Sequence, residues 1–385
     1  MPKKPKTFLE KMNKNVENNT SIITKYKQLN TKDADNILHC ASSFFLEKYF
    51  SQYQKSDNPE ISYNDFNDAV EKMKPFFLCK NKFCSNCTFL RSRKLFVETY
   101  NILDNIVNVK NINFIAYHLT LTVKNPAVEH YKTCQDTMNK AFKLLVKSTS
   151  KYKLKDFILG YQSSRETTQN KDARLRGELH PHIHVLLLLK PDFISDCNRV
   201  QKMTKNDILE EWNSCLKHFD RTFPECTELR MNKIKSKTEA EASIYGKSVD
   251  LQNNAIAEVS KYPVKISDLV DMPIEDFKVL DKTLHHARLI TYGGIIKTVR
   301  AELKFSDEKI EDKFLNPEKY KLYEVKFYEL LNKKYVEKPI TELEQAIYED
   351  MKKARKRKPN KPKTKNNVNC LGSSPLTNPH SGGQD

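Results

Sequence analysis

The chain's 385 residues allow one large domain or two smaller ones around a core of ordinary size. With 66 Lys+Arg against 49 Asp+Glu the formal net charge is +17, a balance that favours a polyanionic partner, nucleic acid first. No stretch approaches the ~18 apolar residues of a membrane-spanning helix, and the Lys-rich N-terminus lacks the apolar centre of a secretion signal, so a cytoplasmic protein with no membrane partner is expected.

Residues 1–35 are polar, with apolar periodicity confined to Ile22, Ile23, Tyr26 and Leu29, and read as a mobile basic leader. From Ala34 to Tyr53 the positions Ile37, Leu38, Cys40, Ala41, Phe44, Phe45, Leu46 and Phe50 recur at helical spacing, predicting an amphipathic helix that buries Cys40. The nine cysteines, an odd number in a reducing compartment, read as thiols or metal ligands rather than a disulfide framework. Three of them form Cys79-x4-Cys84-x2-Cys87, and the tight Cys-x2-Cys turn suits tetrahedral zinc. That set is one ligand short. Cys40 or His39 can supply the fourth, against a competing reading of free or buried thiols. Thr88 to Ile106 is a predicted helix carrying Arg91, Arg93 and Lys94, so residues 36–110 read as a helical, Cys-rich segment with a basic surface.

Residues 111–300 carry the chemistry. Asn113 to Val123 has the β-branched and aromatic content of a strand, ended by Pro126, and Pro126 to Ser150 reads as a helix. Phe157 to Thr168 is a second strand, Thr168 to Gly177 a polar turn, and Glu178 to Lys190 reads E-L-H-P-H-I-H-V-L-L-L-L-K. Residues i and i+2 of a strand share a face, so His182 and His184 present their imidazoles side by side while Ile183 and Val185 face the other way. That pattern asks for a metal; the competing reading is a partly solvated strand whose imidazoles only hydrogen-bond. Glu166 can approach across the strand pair as a third ligand, with Glu178 and His180 as its rivals.

Lys205 to Phe219 is a predicted helix with the single Trp212 on its core side. Ser236 to Lys261 follows as a helical pattern running into A-I-A-E-V-S-K-Y-P-V-K. Pro263 disfavours helical geometry just before it, so Tyr262 falls at the helix end, with Glu258 one turn earlier on the same face. Gly293-Gly294 marks a turn or a close approach. No G-x-x-x-x-G-K-[ST] is present, so no ATPase of the P-loop kind is expected. Residues 301–350 read as a helical extension, and the tail over 351–385, with basic residues among prolines, as disordered.

Together these stretches resemble the replication initiators of bacterial rolling-circle plasmids, members of the HUH endonuclease superfamily. The resemblance is carried, in order, by C-K-N-K-F-C-S-N-C, F-I-A-Y-H-L-T-L-T-V-K-N, R-E-T-T, H-P-H-I-H-V-L-L-L-L-K, E-V-S-K-Y-P-V-K and R-L-I-T-Y-G-G-I-I-K, from about Cys40 to Lys297. It implies an α+β fold, a central antiparallel sheet flanked by helices, with His182 and His184 on a central strand and Tyr262 on a helix nearby. It further implies Glu166 as third ligand to Mg²⁺ or Mn²⁺, Tyr262 as nucleophile and Glu258 in place of a second tyrosine, as in the branch with one tyrosine and one carboxylate. The implied partners are plasmid origin DNA, single-stranded at the nick, and a host helicase and polymerase. Arg91, Arg93, Lys94, Lys261 and Lys265 are the candidates for DNA contact. A non-catalytic, zinc-stabilised DNA-binding protein, or a relaxase or transposase of the same superfamily, is the alternative.

Overall fold

Eleven residues, Leu179–Leu189, form the middle strand of the larger of two sheets. The computed structural model describes residues 7–51, 70–148, 153–169, 178–194, 203–234, 260, 269, 272–285, 287–305 and 320–356. Two units are present, Met1–Pro339 and Ile340–Asp385. In chain order the first contains α1 (Phe8–Gln28), α2 (Asp33–Leu38), β1 (Ser43–Ser51), β2 (Val70–Pro75), α3 (Ser85–Asp104), β3 (Ile115–Thr122), α4 (Tyr131–Leu145), α5 (Leu154–Phe157), β4 (Ile158–Gln169), β5 (Leu179–Leu189) and α6 (Lys205–Phe219). After these come β6 (Leu229–Lys233), α7 (Ile274–Leu284), β7 (Ile290–Gly293), α8 (Gly294–Glu302), β8 (Tyr320–Leu331) and β9 (Lys334–Lys338). The second unit contains α9 (Glu342–Lys356), which opens with Thr341 donating its backbone N–H to Glu344.

The larger sheet has the order β6-β3-β5-β4-β7, antiparallel at every pairing. Its burial follows the sequence of β5. In the first half Pro181, Ile183 and Val185 are buried while His180, His182 and His184 are half-exposed; from Leu186 to Leu189 every side chain is buried. One face is therefore apolar along its whole length. There Tyr117, Leu119, Leu121, Ile183, Val185, Leu187 and Leu189 pack on Met138, Phe142 and Leu145 of α4 and Ile208, Trp212 and Leu216 of α6. On the other face, the described residues form an apolar cover over half its length. Ala116, Leu186 and Leu188 meet Ile102 and Leu103 of α3, Ile106 of its π-helical continuation, and Ile296 and Val299 of α8. Each fully buried leucine contributes roughly 1.5–3 kcal/mol, so the second half of β5 fixes the strand and leaves the histidine half free to be polar.

Trp212 is in the core, as its helix predicted, and its Nε1–H donates to the Thr122 carbonyl at 2.9 Å. Gly293 and Gly294 make a close approach. A Cβ on Gly293 would lie 2.1 Å from the Tyr161 ring, and Gly294, at φ +56°, would bring one 2.1 Å from the Leu159 carbonyl oxygen. Only glycine lets β7 pair with β4 and turn at once into α8.

The smaller sheet, β2-β1-β8-β9, corrects two expectations, and helix α1 a third. The predicted helix over Ala34–Tyr53 is instead α2 and then β1: Ala41 adopts φ +57°, which ends helical geometry, and the apolar run beyond it is buried on both strand faces. Phe44 and Leu46 join one core while Phe45 packs against Phe76 and Phe327, each 5.3 Å away. An unbroken apolar run fits either period, and strand pairing decided it. Residues 305–348 are not a helix throughout. They contain the β8–β9 hairpin, turned at Asn332 and Lys333, both with positive φ, before α9 begins. Residues 8–28 are not mobile leader but a helix: Thr7 and Glu10 form a capping box, and Met12, Ile22 and Tyr26 are fully buried. The Tyr26 hydroxyl donates to Asp281 of α7 at 2.6 Å.

Candidate functional site

The register of β5 against its neighbours assembles the candidate site. His182 lies opposite Thr122 of β3 and Glu166 of β4; His184 lies opposite Thr120 and Ser164. All of these point to the half of that face on which, among the described residues, no apolar helix face packs. The Glu166 carboxylate reaches diagonally to His184, with Oε2 2.7 Å from Nε2. On the other side of the same ring, Nδ1 stands 3.3 Å from the Thr120 hydroxyl. His118 stacks on it with centroids 5.5 Å apart and planes 18° from parallel. His184 is thus held from three directions. His182 is 6.1 Å from His184, ring to ring, and its Nδ1 is buried without a hydrogen-bond partner among the described residues. Burial, then the neighbouring His184, pushes the pKa of His182 down to about 4, so the ring is neutral and its lone pair available at physiological pH.

The rival ligands stand apart from this contact. Asn125 donates to Glu178 at 3.3 Å and lies 3.3 Å from His180 Nε2, tying both to the loop after β3. His180 lies opposite Thr168 and stacks beside His182 with centroids 6.2 Å apart. Of the two carboxylates, Glu166 is the one in contact with a histidine of the pair. Two residues on this face were not singled out in the sequence. His118 and Arg230 belong to it, Arg230 lying opposite Thr120 on β6, and the alternation in Y-H-L-T-L-T and L-R-M-N-K is the signal that could have found them.

The cysteines are drawn together more tightly. Cys40, Cys79, Cys84 and Cys87 place their sulfurs within 4.8 Å of one another, the one such group of metal-ligating atoms among the described residues. Cys40, not His39, is the fourth member, carried there by the turn between α2 and β1.

Arg91, Arg93 and Lys94 are engaged in holding the fold. Arg91 donates to the carbonyls of Asn81 and Lys80, and Arg93 donates to the Glu71 carbonyl at 2.6 Å and lies over the rings of Phe8 and Phe89. Lys94 is buried, 3.5 Å from Glu98, which also faces Arg300 at 3.6 Å. A buried ammonium cannot reach a phosphate, so Lys94 is withdrawn as a DNA contact. Glu258, Lys261, Tyr262 and Lys265 lie outside the described residues, as do most of the predicted helix over Ser236–Lys261, the turn over 170–177 and the tail beyond residue 356.

A family described as replication protein matches residues 70–357, about three quarters of the chain. The chain belongs to this replication protein family. Among curated proteins, the chain is 30% identical over 238 residues to Protein rep of Bacillus amyloliquefaciens, covering 60% of this chain and 65% of that relative, a little under two thirds of its length. It is 27% identical over 243 residues to Protein rep of Streptococcus pneumoniae, covering 62% and 68%, and 27% identical over 201 residues to a Replication protein of Staphylococcus aureus, covering 50% and 76%. No solved structure matches it. The resemblance read from the motifs is borne out at the level of the family. Among the described residues, no helix is long and apolar enough to cross a membrane.

Proposed function

We propose that this protein starts rolling-circle replication of a bacterial plasmid by cutting one strand at the origin. The observation that carries the reading is the pairing of Glu166 with His184, beside His182, on the histidine face of an antiparallel sheet. A central sheet with helices on both faces and the histidines on its middle strand supports an HUH endonuclease core.

Two imidazoles and a carboxylate are donors suited to a divalent ion, and the Nδ1 of His182, buried with no hydrogen-bond partner among the described residues, supports that reading. Mg²⁺ or Mn²⁺ held by His182, His184 and Glu166 would supply Lewis-acid polarisation of the scissile phosphate. Thr120 and His118 fix the orientation of His184. The Tyr262 hydroxyl attacks phosphorus in line. Its bond to phosphorus forms, the bond to the 3′-oxygen breaks, and the products are a 5′-phosphotyrosyl enzyme and a free 3′-hydroxyl that a polymerase extends. At the end of a round Glu258 takes a proton from water, so that hydrolysis rather than a second tyrosine closes the cycle.

The strand must be unpaired to enter such a site, and the +17 chain binds origin DNA through its phosphates with steep salt dependence. Lys261 and Lys265, next to Tyr262 in sequence, and Arg230 on the histidine face are the residues we assign to that contact. With no P-loop in the sequence, unwinding falls to a host helicase in the cytoplasm.

The test is incubation of purified protein with supercoiled DNA carrying its origin and Mn²⁺, wild type beside Tyr262→Phe and Glu258→Gln. Wild type should give open circles with protein on the 5′ end, Tyr262→Phe should give none, and Glu258→Gln should cut once and fail to terminate. Binding without cutting under every metal would favour a non-catalytic DNA-binding protein. Cutting without preference for the origin would favour a relaxase or transposase.

A further inference from the structure

We propose that Cys40, Cys79, Cys84 and Cys87 hold a structural zinc ion that anchors the start of α3, independently of the nicking site. The spacing of the sulfurs is the first argument. Cys40 and Cys87 are 3.5 Å apart and Cys79 and Cys87 3.6 Å, far beyond the ~2.05 Å of a disulfide. A tetrahedral ion with zinc–sulfur bonds of about 2.3 Å sets its sulfurs about 3.8 Å apart, close to what is found. The four ligands come from three places in the chain: the α2–β1 turn, the exit of β2, and the first turn of α3, where Cys84 is the N-cap.

The surroundings suit an anionic centre. Four thiolates around one divalent ion carry two net negative charges, and donors are directed at the sulfurs. The Cys79 N–H points to Cys40 Sγ at 3.5 Å and the Asn19 amide to Cys84 Sγ at 3.7 Å. The 20-residue helix α3 begins at the cluster, with Cys84 as its N-cap, so the positive end of the helix dipole lies beside the thiolates. Arg91 braces the loop between Cys79 and Cys84 through its carbonyls. Asn19 fixes the helix entry, accepting from the Ser85 N–H at 2.7 Å, and Asn86 donates to the Cys40 carbonyl at 2.9 Å. Cys40, Cys84 and Cys87 are buried and Cys79 half-buried, so the site is closed and keeps no place for substrate.

The consequence reaches the larger sheet through α3. One end of that helix starts at the cluster; further along, Thr99 donates to Gln162 of β4 at 2.8 Å, and Ile102 and Leu103 cover the apolar half of the histidine face. Zinc therefore sets the position of a helix that the sheet needs as a lid on its core, while taking no part in the chemistry.

The test uses the full chain, purified without a metal-binding tag and dialysed against EDTA. Expected is about one zinc per chain by mass spectrometry, released on thiol modification by a mercurial, and a cobalt-substituted protein with the intense thiolate charge-transfer and d–d bands of a tetrahedral sulfur site. Cys79→Ser, at the least buried ligand, should lower zinc content at least tenfold; Cys134→Ala and the pair His182→Ala and His184→Ala should leave it unchanged. Absence of zinc, iron in its place, a disulfide among the four, or loss of zinc in the histidine variants would each overturn the proposal. The wild-type metal content and cobalt spectrum decide it even if Cys79→Ser does not fold.

Discussion

Replacing Glu166 by glutamine keeps the side chain's size and its hydrogen-bonding reach to His184, 2.7 Å away, but removes the negative charge. His184 should keep its pose, because the Thr120 hydroxyl at 3.3 Å and the stacked His118 ring are untouched. The effect then falls on the metal. Even partners outside the ligand shell cost 10–100-fold in metal affinity when changed, so loss of a ligand's charge should raise the Mn²⁺ concentration for half-maximal nicking at least about 10–100-fold, or roughly 1.4–2.8 kcal/mol. Folding should be nearly unaffected: the pair is 14% and 20% exposed and a hydrogen bond remains, so a change of about 1 kcal/mol is the most expected. The assay is a Mn²⁺ titration of origin nicking, with circular dichroism melts alongside, for wild type, Glu166→Gln and Glu178→Gln. Glu178 is turned to Asn125, so its glutamine variant should titrate like wild type. A shifted titration in Glu178→Gln and an unshifted one in Glu166→Gln would refute the assignment of the third ligand.

Three further outcomes follow from the same geometry. Gly294→Ala should destabilise by more than about 3 kcal/mol, read as a large drop in melting temperature, because it adds a Cβ to a φ of +56° and drives it to 2.1 Å from the Leu159 oxygen. Lys94→Met should cost roughly 1–3 kcal/mol in a denaturant melt by weakening the buried contact to Glu98, yet leave the salt slope of DNA binding unchanged; a slope reduced by about one would mean that Lys94 touches phosphate after all. In EDTA, stability should fall with acid through His182. Its folded pKa of about 4 is below the unfolded value of ~6.5, so its contribution is complete above that value and is lost as the pH drops toward 4, by roughly 3 kcal/mol at most. His182→Asn should flatten that dependence, and an unchanged pH profile in the variant would remove His182 as its source.

Local pattern made the larger sheet legible. The alternation H-P-H-I-H-V followed by L-L-L-L states in one line which half of β5 alternates in burial and which is buried throughout, and the observed burial follows it residue by residue. The Lys205–Phe219 helix was equally readable, and the structure adds the capping box that Thr204 and Asp207 form at its start. The smaller sheet was not. β1 and β8 are separated by most of the chain, and β8 turns into β9 through Asn332 and Lys333, residues that lack the glycine usually marking such a hairpin. Helix α1 was missed because its fully buried contacts are a sparse stripe, Met12, Ile22 and Tyr26, in an otherwise polar segment.

The candidate site divides along the same line. Residue types and spacing alone determined that His182 and His184 share a strand face, that Cys79, Cys84 and Cys87 converge, and which family the chain resembles, because each depends on neighbours within a few residues. Only the tertiary structure decided that Glu166 rather than Glu178 meets His184, that Cys40 joins the thiols, and that Lys94 is buried against Glu98. Those outcomes depend on strand register and helix packing between distant segments, where a shift of one residue would turn each side chain to the opposite face.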